Sequence, residues 1–210
     1  MNRVHFRAAF AAGVLAAGAL GAARAHDAHP QHAAAAPTSA KVVLRAEPLL
    51  DQTGKRVRLA DDVIADRIAI VNFVYTTCTT VCPVSSATLS QVQLRLAPAL
   101  GKEVVLVSIS VDPLRDTPER LRDYAARYDA REGWVWLTGA KPDVDSALKG
   151  FGAYTPRFED HPTMVLVGDA RSGTWTRFYG FPSADQLSAK VEAIRTARGK
   201  GGHVAQHAGH

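Results

Sequence analysis

The chain of 210 residues contains two cysteines, Cys78 and Cys82, four positions apart. A thiolate is both the nucleophile that attacks disulfides and a ligand for soft metals, so the pair suits thiol–disulfide exchange or metal binding. A purely structural disulfide is the plainer alternative. Closing a loop of about five residues stabilises by only about 2 kcal/mol, against roughly 5 for a loop of about a hundred, so a pair this close is a poor staple. Two thiolates suit Cu(I), which is content with two or three soft ligands, and an added imidazole would extend the site to Cu(II). Structural zinc usually takes four protein ligands. Seven of the eight histidines lie towards the ends: His5, His26, His29 and His32 at the start, His203, His207 and His210 at the finish. The body therefore offers Cys78, Cys82 and His161, and copper fits that count better than zinc.

These donors need elements to position them. Arg67 to Tyr75 (RIAIVNFVY) is an apolar, β-branched and aromatic run, the pattern of a strand buried on both faces. Pro83 to Leu100 then spaces Val84, Leu89, Val92, Leu94 and Leu96 loosely at helical intervals. A residue before proline is pushed out of the helical region, so Cys82 is expected at or just before the N-cap and Cys78 in the loop leading to it. Both sulfurs would then lie near the positive end of the helix dipole, whose field favours thiolate. Val104 to Val111 reads as another buried strand. Thr117 is a good N-cap and Pro118 suits the first position of a helix to about Tyr128, with Leu121, Tyr124, Ala125 and Tyr128 on its apolar face. Trp134 to Leu137 alternates as a short strand, and Pro142 to Phe151 is a short helix. Met164 to Gly168 is a third apolar strand, paired with Trp175 to Tyr179 across a turn at Arg171-Ser172-Gly173. Ser183 to Arg198 closes as a helix with Leu187, Val191 and Ile194 inward. Ahead of these, Lys41 to Leu50 and Arg56 to Leu59 look like a hairpin or strand pair joined through Gln52-Thr53-Gly54.

This order predicts an α/β, thioredoxin-like sandwich with a central mixed sheet and flanking helices, plus an N-terminal hairpin. The cysteines fall where open α/β sheets carry their sites, beyond the carboxyl ends of the strands. In a thioredoxin-like domain the loop before the strand at Met164 packs against the cysteine loop, typically with a cis-proline at its turn. Pro162 is therefore expected to be cis, or at least His161 to project toward the two sulfurs. The segment Asp112 to Pro118 contains acids that could do acid–base work. Its simpler reading is a strand-to-helix turn in which Asp112, Asp116 and Thr117 satisfy backbone donors. Trp134 and Trp136 read as core and rim aromatics.

Composition narrows the class. With 47% hydrophobic, 21% charged and 7% aromatic residues the chain is neither disordered nor collagen-like, and two cysteines cannot make a disulfide-rich scaffold. The formal charge of +5 includes Arg3, Arg7 and Arg24, in a stretch of 25 residues that holds no acid. Without it, 22 basic residues face 20 acidic ones, a balance that argues against nucleic acid or a membrane surface as partner. Residues 1–25 have the basic start, the apolar Ala8 to Ala23 and the small residues Ala23 and Ala25 of a signal peptide, with cleavage expected after Ala25. The apolar run is short for a spanning helix, although an uncleaved segment would tether the protein to the inner membrane. Residues 26–40 are expected to be a flexible His/Ala-rich linker, 41–198 the folded domain and 199–210 a flexible His-rich tail. Export to a periplasm would place the thiols in an oxidising compartment. The clustered His26, His29 and His32 are either incidental or a weak, exchangeable capture site for copper or zinc, in which cleavage after Ala25 would give His26 a free amine beside its imidazole.

Three segments together carry a family resemblance. They are Asn72-Phe73-Val74-Tyr75-Thr76-Thr77-Cys78-Thr79-Thr80-Val81-Cys82-Pro83, then Val107-Ser108-Ile109-Ser110-Val111-Asp112-Pro113-Leu114-Arg115-Asp116-Thr117-Pro118, then His161 ahead of an apolar strand ending Gly168-Asp169. In this order and spacing, over about Glu47 to Ile194, the chain resembles the Sco/SenC family of thioredoxin-like copper-binding proteins. The resemblance implies that Cys78 and Cys82 bind Cu(I), with His161 joining them for Cu(II). It also implies help in assembling the binuclear copper centre of cytochrome c oxidase, by delivering copper to an oxidase subunit or by reducing that centre's cysteines. Two departures stand out. Thr79 replaces the proline usual after the first cysteine, and Pro162 after His161 is closer to the thioredoxin pattern. The competing reading is a periplasmic thiol–disulfide oxidoreductase that uses Cys78 and Cys82 as a redox-active pair. A thiol peroxidase is weaker still, because the Thr-rich loop offers no charged donors. Either leading role needs reduced thiols, and so a periplasmic thiol reductant as partner.

Overall fold

The computed structural model describes residues 36–206, with side chains as far as residue 199. The expected signal segment 1–25 lies outside the described residues, as do His26, His29, His32, His207 and His210 and the side chain of His203. The described chain begins with β1 (Thr38–Ala40), β2 (Pro48–Asp51) and β3 (Arg56–Arg58), followed by a helical turn at Leu59–Ile64. Next come β4 (Ile68–Val74), α1 (Val81–Arg95), β5 (Val104–Ser110), α2 (Pro118–Ala126), β6 (Trp134–Thr138) and α3 (Lys141–Phe151). A 3-10 turn at Phe158–Asp160 leads into β7 (Met164–Asp169), β8 (Thr174–Tyr179) and α4 (Ala184–Gln206).

The strands form one mixed sheet in the order β1-β8-β7-β4-β5-β6-β2-β3. β4, β5 and β6 are parallel neighbours, and every other pairing is antiparallel. All seven residues of β4 and all seven of β5 are buried, as their continuous apolar sequence requires. Successive side chains of a strand point to opposite faces, so β4 feeds two cores. Ile68, Ile70 and Val74 join Leu89 and Val92 of α1, Leu121 and Tyr124 of α2, and Leu187 and Val191 of α4. Ala69, Val71 and Phe73 join Leu59 and Ile64 of the helical turn and Val144, Leu148 and Phe151 of α3 on the other face. The architecture is the α/β sandwich with flanking helices, and β2 and β3 form the expected hairpin, with Leu49 opposite Val57.

Several boundaries differ from the sequence reading. Thr38–Ala40, placed in the 26–40 linker, pairs with β8, Thr38 opposite Arg177 and Ala40 opposite Trp175. An edge strand needs ladder hydrogen bonds more than large apolar residues, so composition does not reveal it. The backbone of α4 continues past Arg198 to Gln206, into the expected tail, since each residue added to a formed helix gains a hydrogen bond. Lys41–Glu47 is not strand but crosses α3, with the Val43 N–H donating to the Gly150 carbonyl at 2.9 Å. Any Cβ at Gly150 would run into the Val43 carbonyl oxygen.

Trp134 and Trp136 are both core residues, their rings stacked 4.9 Å apart. On the opposite half of the sheet the Trp175 indole lies across its ladder partner Gly168. Gly168→Ala would drive a methyl into that buried ring, and overpacking of this kind costs about 1–3 kcal/mol. Denaturant unfolding should show a loss of that size, and an unchanged midpoint would mean that the indole is free to move aside.

Candidate dithiol and metal site

β4 ends at Val74, and the chain turns at once: the Cys78 N–H donates to the Tyr75 carbonyl at 3.1 Å. α1 starts at Val81, so Cys82 lies inside the first helical turn and not at or before the N-cap, which is Thr80. Proline is tolerated in a first turn, where its missing N–H would have had no intrahelical partner, so Pro83 did not push the helix start past Cys82. Thr80 makes no side-chain cap. Instead the Cys82 N–H donates to Cys78 Sγ at 3.3 Å. Both residues are free thiols and buried, Cys78 at 5% exposure and Cys82 at 1%.

The two thiols differ in acidity. Burial alone would push Cys78 up, but hydrogen bonding from Cys82, Thr80 and Tyr75 brings it down to about 7, the Cys82 N–H at 3.3 Å being the donor in direct contact. Cys82 is driven well above the ordinary thiol range, first by burial and then by giving its hydrogen to Cys78, with the charges of Cys78 and Asp116 adding to the effect. Near pH 7 the pair passes from two protons to one, and the proton it keeps is on Cys82. Tyr75 is pushed up to about 12 by burial and by its bond to Cys78, and stays a donor.

His161 follows the 3-10 turn and is 9% exposed. Its Nδ1 lies 2.8 Å from the Phe158 carbonyl, an acceptor only, so Nδ1 carries the hydrogen and Nε2 keeps its lone pair. Burial lowers its pKa, against the pull of the Phe158 and Phe73 carbonyls, which leaves a neutral imidazole. The ring meets Tyr75 edge to face at 5.8 Å and lines a small cavity with Phe73, Val81, Cys82, Ser85, Thr163 and Met164. Cys82 and His161 therefore face one cavity, and Tyr75 touches both Cys78 and His161. Among the described residues no three His, Cys, Asp or Glu side chains converge as a ready metal cage. Nor is any peptide bond cis among them, so Pro162 is trans, contrary to expectation. His161 sits in the site's wall through the Phe158 contact without the proline turn.

The turn after β5 has the expected shape with different contacts. Thr117 caps α2 by accepting the Arg120 N–H at 3.3 Å. The Asp112 carbonyl accepts the N–H groups of Arg115 and Asp116, while its carboxylate takes the Arg115 guanidinium at 3.0 Å. The Asp116 carboxylate leaves its own turn altogether and binds Thr76, beside the cysteine loop. Asp116, Thr76 and Tyr75 were not singled out from the sequence as site residues. Short-range turn chemistry accounts for an Asp before a helix, and nothing local signals a partner forty positions away.

A family model described as SCO1/SenC matches residues 37–196. The SCO1 protein homolog of Bacillus subtilis is 31% identical over 118 residues, covering 55% of this chain and 60% of the relative. Protein SenC of Rhodobacter capsulatus is 29% identical over 161 residues, 70% of each chain. The chain thus spans rather more than half of the first relative and over two thirds of the second. Among solved structures, BsSco, described with a disulfide switch and as a member of the Sco family of cytochrome c oxidase assembly proteins, superimposes with a TM-score of 0.62. It is 25% identical and covers 76% of this chain and 96% of its own. Bradyrhizobium japonicum ScoI with copper bound gives a TM-score of 0.58 at 25% identity, over 70% of this chain and 95% of that one. With the family pattern matched from β1 through the cysteine loop and His161 into α4, this chain belongs to the SCO1/SenC family.

Proposed function

We propose that this protein is a copper-binding metallochaperone that helps assemble the binuclear copper centre of cytochrome c oxidase, its copper held by Cys78, Cys82 and His161. The observation that carries the reading is the dithiol at the end of β4, with the Cys82 N–H on the Cys78 sulfur and Cys82 sharing a cavity with a neutral His161 held by its Nδ1 on the Phe158 carbonyl. Soft sulfurs select Cu(I), and an imidazole accommodates Cu(II). The Nδ1–H bond to a backbone carbonyl is the kind of support that orients a ligating histidine. Family membership and the copper-bound ScoI structure of Bradyrhizobium japonicum support the same cargo. Its partner would be a copper-accepting oxidase subunit.

A second reading is favoured by the unequal acidity of the pair: a thiol–disulfide oxidoreductase. The Cys78 thiolate would attack a target disulfide and release one target thiolate. Cys82, losing its proton, would then attack the Cys78 sulfur and release the other. The target gains two electrons, with one proton from Cys82 and one from solvent, and the protein is left with a Cys78–Cys82 disulfide that a periplasmic thiol reductant must reduce. In both readings residues 1–25 are an export signal, 26–40 a linker, 41–198 the working domain and 199–210 a tail, and the protein acts in the periplasm. Among the described residues no helix is long and apolar enough to cross a membrane.

Anaerobic titration of the reduced protein with Cu(I) should give one tightly bound equivalent that Cys78→Ser or Cys82→Ser weakens at least tenfold. Absence of stoichiometric binding would leave the oxidoreductase reading. His161→Ala should abolish Cu(II) binding and leave disulfide exchange largely intact, and an unchanged Cu(II) affinity would sink the role given to that residue.

The acidity of the pair makes a separate forecast. A thiol with a depressed pKa is reactive as pH rises through the depressed value, so alkylation of Cys78 should reach half its maximal rate near pH 7. Cys82 should stay unmodified in the folded protein across the same range. Peptide mapping after timed iodoacetamide treatment reads both sites, and a Cys78 profile centred on the ordinary thiol pKa of about 8.5 would refute the asymmetry.

A further inference from the structure

Asp116 is 1% exposed, and its carboxylate accepts from the Thr76 hydroxyl at 2.6 Å, the Thr76 N–H at 3.2 Å and the Ser110 hydroxyl at 2.6 Å. Its own carbonyl accepts the Thr138 hydroxyl at 2.7 Å. Thr76 lies just past β4, Ser110 ends β5 and Thr138 ends β6, so one residue ties together the carboxyl ends of the three parallel strands. Only Thr77 separates Thr76 from Cys78. Among the described residues, the hydrogen bonds that reach residues 76–80 from beyond the segment 75–82 all come from Asp116. Asp116 is thus the hydrogen-bonded tie between the sheet and the loop that carries the buried Cys78 sulfur, while Cys82 is fixed separately by α1.

We propose that Asp116 is a positioning residue for the dithiol, holding Cys78 against the Cys82 N–H through Thr76 and so setting the reduction potential of the pair. The inference rests on reading Cys78 and Cys82 as a reactive pair. With the clamp intact, the Cys82 N–H reaches the Cys78 sulfur at 3.3 Å and favours the reduced form. An acceptor-only carboxylate is suited to three converging donors, and alanine in its place would leave them all without a partner. The loop would then relax, the Cys78 thiolate would lose donors, and the disulfide would become easier to form. Burial raises the pKa of Asp116 despite the hydroxyls of Ser110 and Thr76 and the Thr76 N–H, and the Asp112 charge acts in the same direction as burial.

The test is redox equilibration of the full chain against glutathione or dithiothreitol buffers, read by alkylation and mass. Asp116→Ala should shift the dithiol–disulfide equilibrium at least tenfold toward the disulfide, about 30 mV more negative for a two-electron couple. Asp116→Asn, which still accepts through its amide oxygen, should recover most of the shift, and Thr76→Val should move it part of the way in the same direction. If Asp116→Ala fails to fold, Thr76→Val carries the test alone. Asp169 is an equally buried carboxylate, bound to Arg198 and paired with Ile68 at the opposite end of β4. Asp169→Ala should lower stability and leave the potential where it is. Wild-type potentials in Asp116→Ala and Thr76→Val, or an equal shift in Asp169→Ala, would overturn the inference alone. A wild-type protein whose cysteines form no reversible disulfide would instead overturn the reactive-pair reading beneath it.

Discussion

The hydrogen bond from the Cys82 N–H to the Cys78 sulfur joins a reactive atom to the start of a helix. The first N–H groups of an α-helix have no partner within it, and a side-chain oxygen usually supplies one. Here the N-cap Thr80 does not, and a sulfur takes that place. The first turn of α1 is therefore completed by the group expected to do chemistry. Whatever claims the Cys78 sulfur, a metal or a second sulfur, acts on a bond that belongs to the helix as well, so events at the dithiol are felt in the element that packs on β4 and α4.

That coupling needs a rigid frame on the other side, and β4 and β5 provide it. Each is buried on both faces, and an all-apolar interior would not by itself fix which residues stand opposite one another. A chain of polar groups does. The Ser108 hydroxyl donates to Asn72 Oδ1 at 2.6 Å and accepts the Trp134 indole N–H at 2.9 Å, while the Asn72 amide reaches Ser85 of α1 at 3.4 Å. These buried groups satisfy one another and so specify how β4, β5, β6 and α1 meet, because any slip would leave a polar atom unpaired in the core. Ser85 lies less than one helical turn beyond Cys82, so the frame and the site share that helix.

The sequence made the frame legible because its signals are local or periodic. Continuous apolar runs mark β4, β5 and β7, and the Thr117–Pro118 start of α2 follows from capping chemistry alone. Cys78 and Cys82 are visible through residue type and spacing. Edge strand β1 is not, since two exposed residues and a half-buried alanine paired along one edge leave no periodic trace. Nor is the position of Cys82 in α1, where the local rule for a residue before proline yields to the tolerance of a first helical turn. The expectation that Asp112, Asp116 and Thr117 satisfy backbone donors matches Thr117, which takes the Arg120 N–H, and Asp116, whose carboxylate takes a backbone N–H at Thr76, outside its own turn. Long-range pairing of a buried acid depends on where the sheet brings β4 and β5 to an end, which only the assembled fold shows.

The charge state of the site bears on the order in which a soft cation would be taken up. Once Cys78 has titrated, near pH 7, the site holds a Cys78 thiolate, a protonated Cys82, a protonated Tyr75 and a neutral His161. One negative charge is ready at once, at the less buried of the two sulfurs. Cys82 keeps its proton because burial disfavours a second thiolate beside the first. A bound cation reverses that balance, since its charge makes the neighbouring thiol far more acidic than any arrangement of donors does. On the proposed reading Cys78 would be the first contact, and deprotonation of Cys82 would follow the arrival of the metal, with one proton released to solvent. The same inequality serves disulfide chemistry in the same order, with Cys78 attacking and Cys82 resolving. Acidity alone therefore does not separate carrier from reductant, and the distinction falls to His161, the one donor that only a metal would need.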